Sequence, residues 1–161
     1  MKFFNERPRL LNKCIEFIEK CKKLDGSYSL VPGGEASLVA TCYGVRACLA
    51  LDIRFDRKSI DYILSCRKLD GSFSNKPGEK SDMISTYLAI SLITNIKPDT
   101  DWVSQALDFI LSCRNTDGGF GVFPGAPSDH ISTYFALDML SFTEKKRIGW
   151  LHILQKERII S

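Results

Sequence analysis

The sequence has no run of the roughly 18 apolar residues needed to cross a bilayer, so no membrane span is expected. It has two histidines and no Cys-x-x-Cys pair, which argues against a zinc site built from cysteine and histidine. Charge of one sign is also scarce. Lys and Arg number 22 against 19 Asp and Glu, for a net charge of +3, and the cations are scattered among the acids. A nucleic-acid partner is therefore not expected. The one basic run, Lys145-Lys146-Arg147, reads as a solvated loop. Residues 1–8 break at once into charge and proline, so no secretory leader is expected. A cytoplasmic location follows as an expectation, and with it six reduced cysteines that behave as small buried hydrophobes.

What the chain does have is a threefold repeat. Cys21, Asp25-Gly26, Tyr28, Pro32-Gly33 and Thr41 return 45 residues later as Cys66, Asp70-Gly71, Phe73, Pro77-Gly78 and Thr86. They return again after 47 more as Cys113, Asp117-Gly118, Phe120, Pro124-Gly125 and Thr133. Each unit reads as two helices around a turn-rich loop. The first helix is amphipathic: it opens at Pro8 and carries Cys14, Ile15, Ile18 and Cys21 at helical spacing. The second, over about 36–51, is apolar on nearly every side and should be buried. Asp56 should cap the next amphipathic helix, a contribution of about 1 kcal/mol, and Ser81 or Asp82 the next apolar one. Pro98 and Asp99 open the third amphipathic helix. A last helix, 143–159, has no partner of its own. No strand alternation competes, so the fold is all-α. It forms a single domain over 1–161, with repeats at about 8–51, 56–95 and 99–142. Units this small need neighbours to bury their apolar faces.

The run Phe109-Ile110-Leu111-Ser112-Cys113-Arg114-Asn115-Thr116-Asp117-Gly118-Gly119-Phe120-Gly121, followed by Pro124-Gly125 and Thr133-Tyr134, resembles the prenyltransferase and squalene-cyclase repeat. The likeness is strongest to β-subunits of protein prenyltransferases of the Rab geranylgeranyltransferase type. It covers about 14–140. It implies an α/α-toroid, with inner helices ringed by outer ones around an apolar cavity for an isoprenoid chain. Helix N-termini at the cavity mouth would seat a diphosphate. The candidate ligand-binding residues are Asp82, Asp129 and His130 at the mouth, with Phe73, Tyr87, Phe120 and Tyr134 as lining. Packing between helices is the alternative role for each of these aromatics.

The same resemblance implies zinc, held through Asp-x-Cys and a His just before the inner-helix Thr. Here the Cys position holds Ser27, Ser72 and Gly119, and the His position holds Ala40, Ser85 and Ser132. His130 lies about 200° around the helix from Ser132. The diphosphate-binding His position holds Ser37, Asp82 and Asp129. Two carboxylates there would repel a diphosphate unless Mg²⁺ bridged them, and both also read as N-caps. The Asp-x-Asp-Asp acid of the cyclases is absent. No cofactor is therefore predicted, and no catalytic residue is assigned. Asp25, Asp70 and Asp117 read as turn residues.

Three repeats and a spare helix make only a half-ring of the implied toroid. The expected partner is a second copy completing the ring as a homodimer, or a different subunit; helix 143–159 capping the open end is the alternative. The functional expectation is a prenyltransferase-like protein that binds an isoprenoid diphosphate and acts in prenyl transfer only with that partner. The alternative is a noncatalytic lipid- or peptide-binding scaffold.

Overall fold

The structure, a computed structural model, describes residues 3–97 and 101–141. They form two compact units, one of 3–67 with 73–80 and one of 68–72 with 81–97 and 101–141. The first contains α1 (Phe3–Cys21), β1 (Tyr28–Ser29), β2 (Ala36–Ser37), α2 (Leu38–Ala50) and α3 (Arg57–Ser65). The second contains α4 (Met83–Ile96), α5 (Trp102–Gln105), α6 (Leu107–Ser112), β3 (Phe120–Gly121), β4 (Ser128–Asp129) and α7, helical over 130–141. The expected helix 143–159 and the opening at Pro98 and Asp99 lie outside the described residues.

Each loop is the same turn built three times. The amide of Lys23 bonds the Ser27 carbonyl at 2.8 Å, that of Lys68 bonds Ser72 at 2.8 Å, and that of Asn115 bonds Gly119 at 2.9 Å. Gly26, Gly71 and Gly118 have φ of 83°, 79° and 89°, a left-handed conformation that costs other residues about 1–2 kcal/mol. The recurring Thr has a clear task. Thr41 Oγ1 accepts the Tyr28 amide at 3.0 Å, and Thr133 Oγ1 accepts the Phe120 amide at 2.9 Å. Each hydroxyl ties the aromatic residue of the loop to the first turn of its inner helix.

Two features depart from the sequence reading. The loops fold back far enough to form two-residue antiparallel ladders, Tyr28 and Ser29 against Ser37 and Ala36, and Phe120 and Gly121 against Asp129 and Ser128. Segments this short carry no alternation to read. In addition α1 begins at Phe3 rather than Pro8, because proline removes one bond of the ladder without stopping the turn before it.

Neighbouring repeats join by a common set of contacts. In the first unit Ser59 Oγ donates to the Gly26 carbonyl at 2.7 Å, and the Leu38 amide donates to the Asn75 carbonyl at 2.7 Å. A Cβ on Gly26 would lie 2.5 Å from Lys58 Cβ. In the second unit a Cβ on Gly71 would lie 2.3 Å from the Gln105 carbonyl oxygen, and the Met83 amide donates to the Val122 carbonyl at 2.7 Å. The third outer helix breaks at this contact, at Ala106 (φ −101°, ψ 5°).

As expected, α2 and α4 are the buried helices. Leu38, Cys42, Val45 and Cys48 are covered on α2, and Met83, Leu88, Ile90, Leu92 and Ile93 on α4. Each such large side chain contributes about 1.5–3 kcal/mol through burial. Five cysteines are buried, but Cys14 is exposed on α1, against expectation, because the turn it occupies leaves that helical stripe uncovered. Burial pushes the Cys42 thiol up to about 12 and that of Cys113 to about 11, so both stay protonated and unreactive at neutral pH. Among the described residues no helix is long and apolar enough to cross a membrane.

Candidate functional site

The Asp of each Asp-Gly loop is held by its own turn. Asp25 Oδ1 accepts the amide and hydroxyl of Ser27 at 3.0 and 2.6 Å. Asp70 Oδ1 does the same for Ser72 at 3.0 and 2.5 Å, and Ser72 Oγ also meets Ser81 Oγ at 2.6 Å. Asp117 Oδ1 takes the Gly119 amide at 2.9 Å and Ser128 Oγ at 2.7 Å. The serine hydroxyls, followed by the turn amides, hold the Asp25 and Asp117 carboxyls below the usual range.

Asp82 and Asp129 are N-caps. Asp82 accepts the amide and hydroxyl of Ser85, both at 2.7 Å. Asp129 accepts the Ser132 amide at 2.8 Å, and bonding from Ser132 lowers its pKa. A carboxyl depressed in the fold adds stability that is complete above its unfolded value, about 4, and is lost as pH falls through the folded value. Thermal midpoints should therefore stay level from pH 7 to pH 5 and fall below pH 4. Calorimetry across that range checks this, and a midpoint that rises on acidification would contradict it.

The aromatic candidates separate into two groups. Phe73 and Phe120 are buried. Tyr87 and Tyr134 come together in the second unit, with ring centroids 6.4 Å apart, and Phe135 stacks on Tyr87 at 4.1 Å. The Tyr87 hydroxyl donates to Asp138 Oδ2 at 3.0 Å. Burial, followed by that bond, raises its pKa. Sequence reasoning did not pick out Asp138, although a charged residue in an otherwise apolar helix, four positions after Tyr134, was a usable signal. Tyr87→Phe should keep the stacking and lose the bond, lowering stability by on the order of 1 kcal/mol. Urea unfolding should show a lower midpoint at unchanged slope.

Beside this cluster lies an open groove of about 560 Å³. It is lined by the polar side chains of Asp117, Ser128, Asp129, His130 and Thr133, by Gly119, and by Tyr134 and Leu137. The groove therefore gathers three of the sequence candidates, Asp129, His130 and Tyr134. Asp82 and Tyr87 belong to the same unit, while Phe73 belongs to the other.

The description of one family, prenyltransferase alpha-alpha toroid domain, matches residues 3–160. The chain belongs to this family. Its repeats are of the α/α-toroid type, and the turn, cap and threonine contacts above are the way this sequence builds them. Among solved structures, the toroid chain is similar to Candida albicans protein geranylgeranyltransferase-I complexed with GGPP. Identity is 19% and the TM-score 0.74, over 85% of this chain and 44% of that one. At that identity the likeness speaks for the fold, and this chain spans less than half the length of its match. No curated protein sequence matches significantly.

Zinc, which the family resemblance implies, does not fit the residues in place. Ser27 and Ser72 occupy the thiol positions and are bonded to the neighbouring carboxylates. At the third such position, a Cβ on Gly119 would lie 2.7 Å from both Ser128 Cβ and Ser128 Oγ.

Proposed function

We propose that this toroid chain binds an isoprenoid diphosphate and takes part in prenyl transfer only when a further chain completes it, without zinc. The observation that carries the reading is the groove at the start of α7, whose lining combines the polar Asp117, Ser128, Asp129 and His130 with the exposed Tyr134 and Leu137. A prenyl diphosphate is amphipathic in the same sense. Its tail would gain about 0.8 kcal/mol per buried CH₂, while the leading turn of α7 faces the head. The match bound to GGPP supports this choice of ligand.

The carboxylates of Asp117 and Asp129 in that lining favour a second reading, a noncatalytic scaffold for an uncharged lipid or a peptide. Native mass spectrometry with farnesyl and geranylgeranyl diphosphate, with and without Mg²⁺, separates the two. A one-to-one complex that strengthens with Mg²⁺ supports the proposal, and no complex under either condition overturns it in favour of the scaffold. Metal analysis of the purified chain should find no stoichiometric zinc.

A further inference from the structure

We infer that the Asp-Gly turns of the first two repeats dock this chain on an anionic lipid surface, each turn placing a leucine among the acyl chains and a lysine beside a headgroup phosphate. The inference does not rest on the proposed function, whose groove lies at the third repeat.

Leu24 is 98% exposed and Leu69 109%. One bare leucine needs no explanation. These two hold the same place in successive repeats, 45 residues apart, and neither gains any cover from the fold. Leu69 has described repeats before and after it in the chain, and Leu24 matches it. The exposure therefore belongs to the turn and not to a chain end.

Each leucine stands on a closed turn. The Gly26 amide donates to the Lys23 carbonyl at 3.0 Å and the Gly71 amide to that of Lys68 at 3.1 Å, beneath the Leu24 and Leu69 tips. The carboxylates that follow, Asp25 and Asp70, accept from Ser27 and Ser72 inside the same turns. A tip held in this way has little backbone freedom to lose on docking.

The charge beside each tip fits an anionic surface. Lys22-Lys23 precede Leu24, and Arg67-Lys68 precede Leu69. Lys22 pairs with Asp56 at 3.6 Å, and Glu19 lines the same recess. Lys23 and Lys68 make no ion pair among the described residues. An apolar tip next to a flexible cation matches acyl chains beneath anionic headgroups. A fluid lipid layer takes each tip wherever it lands, whereas a protein partner would need a separate pocket for each.

The third repeat shows that the pair is not there to build the turn. Asn115-Thr116 stand in place of lysine and leucine, yet the Gly118 amide still reaches the Asn115 carbonyl at 3.1 Å. The Asn115 side chain works inward, donating to the Ala126 carbonyl and to Ser128 Oγ, both at 2.9 Å. Cation and apolar tip are lost together and the turn remains.

Flotation of the purified chain with vesicles of phosphatidylcholine, with and without phosphatidylserine, tests the inference. Binding should require phosphatidylserine and weaken as salt is raised. Leu24→Thr with Leu69→Thr, the residue the third turn carries, should lower partition into these vesicles by about tenfold or more. Lys23→Gln with Lys68→Gln should remove the preference for phosphatidylserine. Thermal melting verifies that both double variants stay folded. A wild-type chain that floats with neither vesicle overturns the inference and leaves a protein groove as the partner of the leucines. Equal flotation with both vesicles overturns it too, as does a lysine variant that keeps the full preference. A leucine variant that binds as well as the wild type reduces the attraction to charge alone, and the inference falls.

Discussion

Gly71→Ala should lower the melting temperature by roughly 10 °C. Two costs combine. The left-handed backbone at φ 79° penalises any side chain by about 1–2 kcal/mol. The new Cβ would then stand 2.3 Å from the Gln105 carbonyl oxygen and 2.5 Å from its carbon. Both are main-chain atoms that cannot swing aside. Forcing the loop off the α5–α6 junction adds about 1–3 kcal/mol or more. The total is a large part of the 5–15 kcal/mol that holds a domain together, and each kcal/mol moves a chain of this size by about 2–4 °C. Gly118→Ala is the internal control. Its φ is 89°, but no described atom lies within 4 Å of the added carbon, so only the backbone cost applies. Equal melting temperatures for the two variants would refute the steric account.

Phe73→Ala should cost about 3–5 kcal/mol, the range for emptying a fully buried aromatic site. Phe73 has no exposed surface and is, among the described residues, the largest of the fully buried side chains. Phe73→Leu should recover part of the loss by refilling volume. Phe123→Ala, at a half-exposed position, should change stability little. Denaturant unfolding of the three variants gives the ranking. A Phe73→Ala protein as stable as the wild type would mean that this ring is not part of the core.

The scaffold was legible in the sequence because its physics is local. An Asp-Gly after a helical run, an Asp before an apolar run and an aromatic thirteen residues before a Thr each act within one repeat, and threefold recurrence set them apart from coincidence. Asp56 and Asp82 cap their helices as read. What escaped reading depends on contacts far along the chain. That Phe73 is enclosed while Tyr134 is exposed cannot be told from residue type, since both are aromatics in repeated places. The Tyr87–Asp138 bond joins residues on different helices, and the groove is lined jointly by the Asp117 loop and the start of α7. The interruption of the third outer helix at Ala106 likewise belongs to a contact with Gly71, from the preceding loop.

The crowding of Gly119 against Ser128 has a consequence for how this sequence can change. A cysteine at position 119 collides with the Ser128 side chain, while removing Ser128 first leaves the Asp117 carboxylate and the Asn115 amide without a shared partner. Each substitution alone is disfavoured, so the two are epistatic, and a thiol ligand at this loop lies at least two coupled steps away. A metal-binding descendant is therefore more accessible through the serine-bearing loops, where Ser72→Cys exchanges one small side chain for another in a single step.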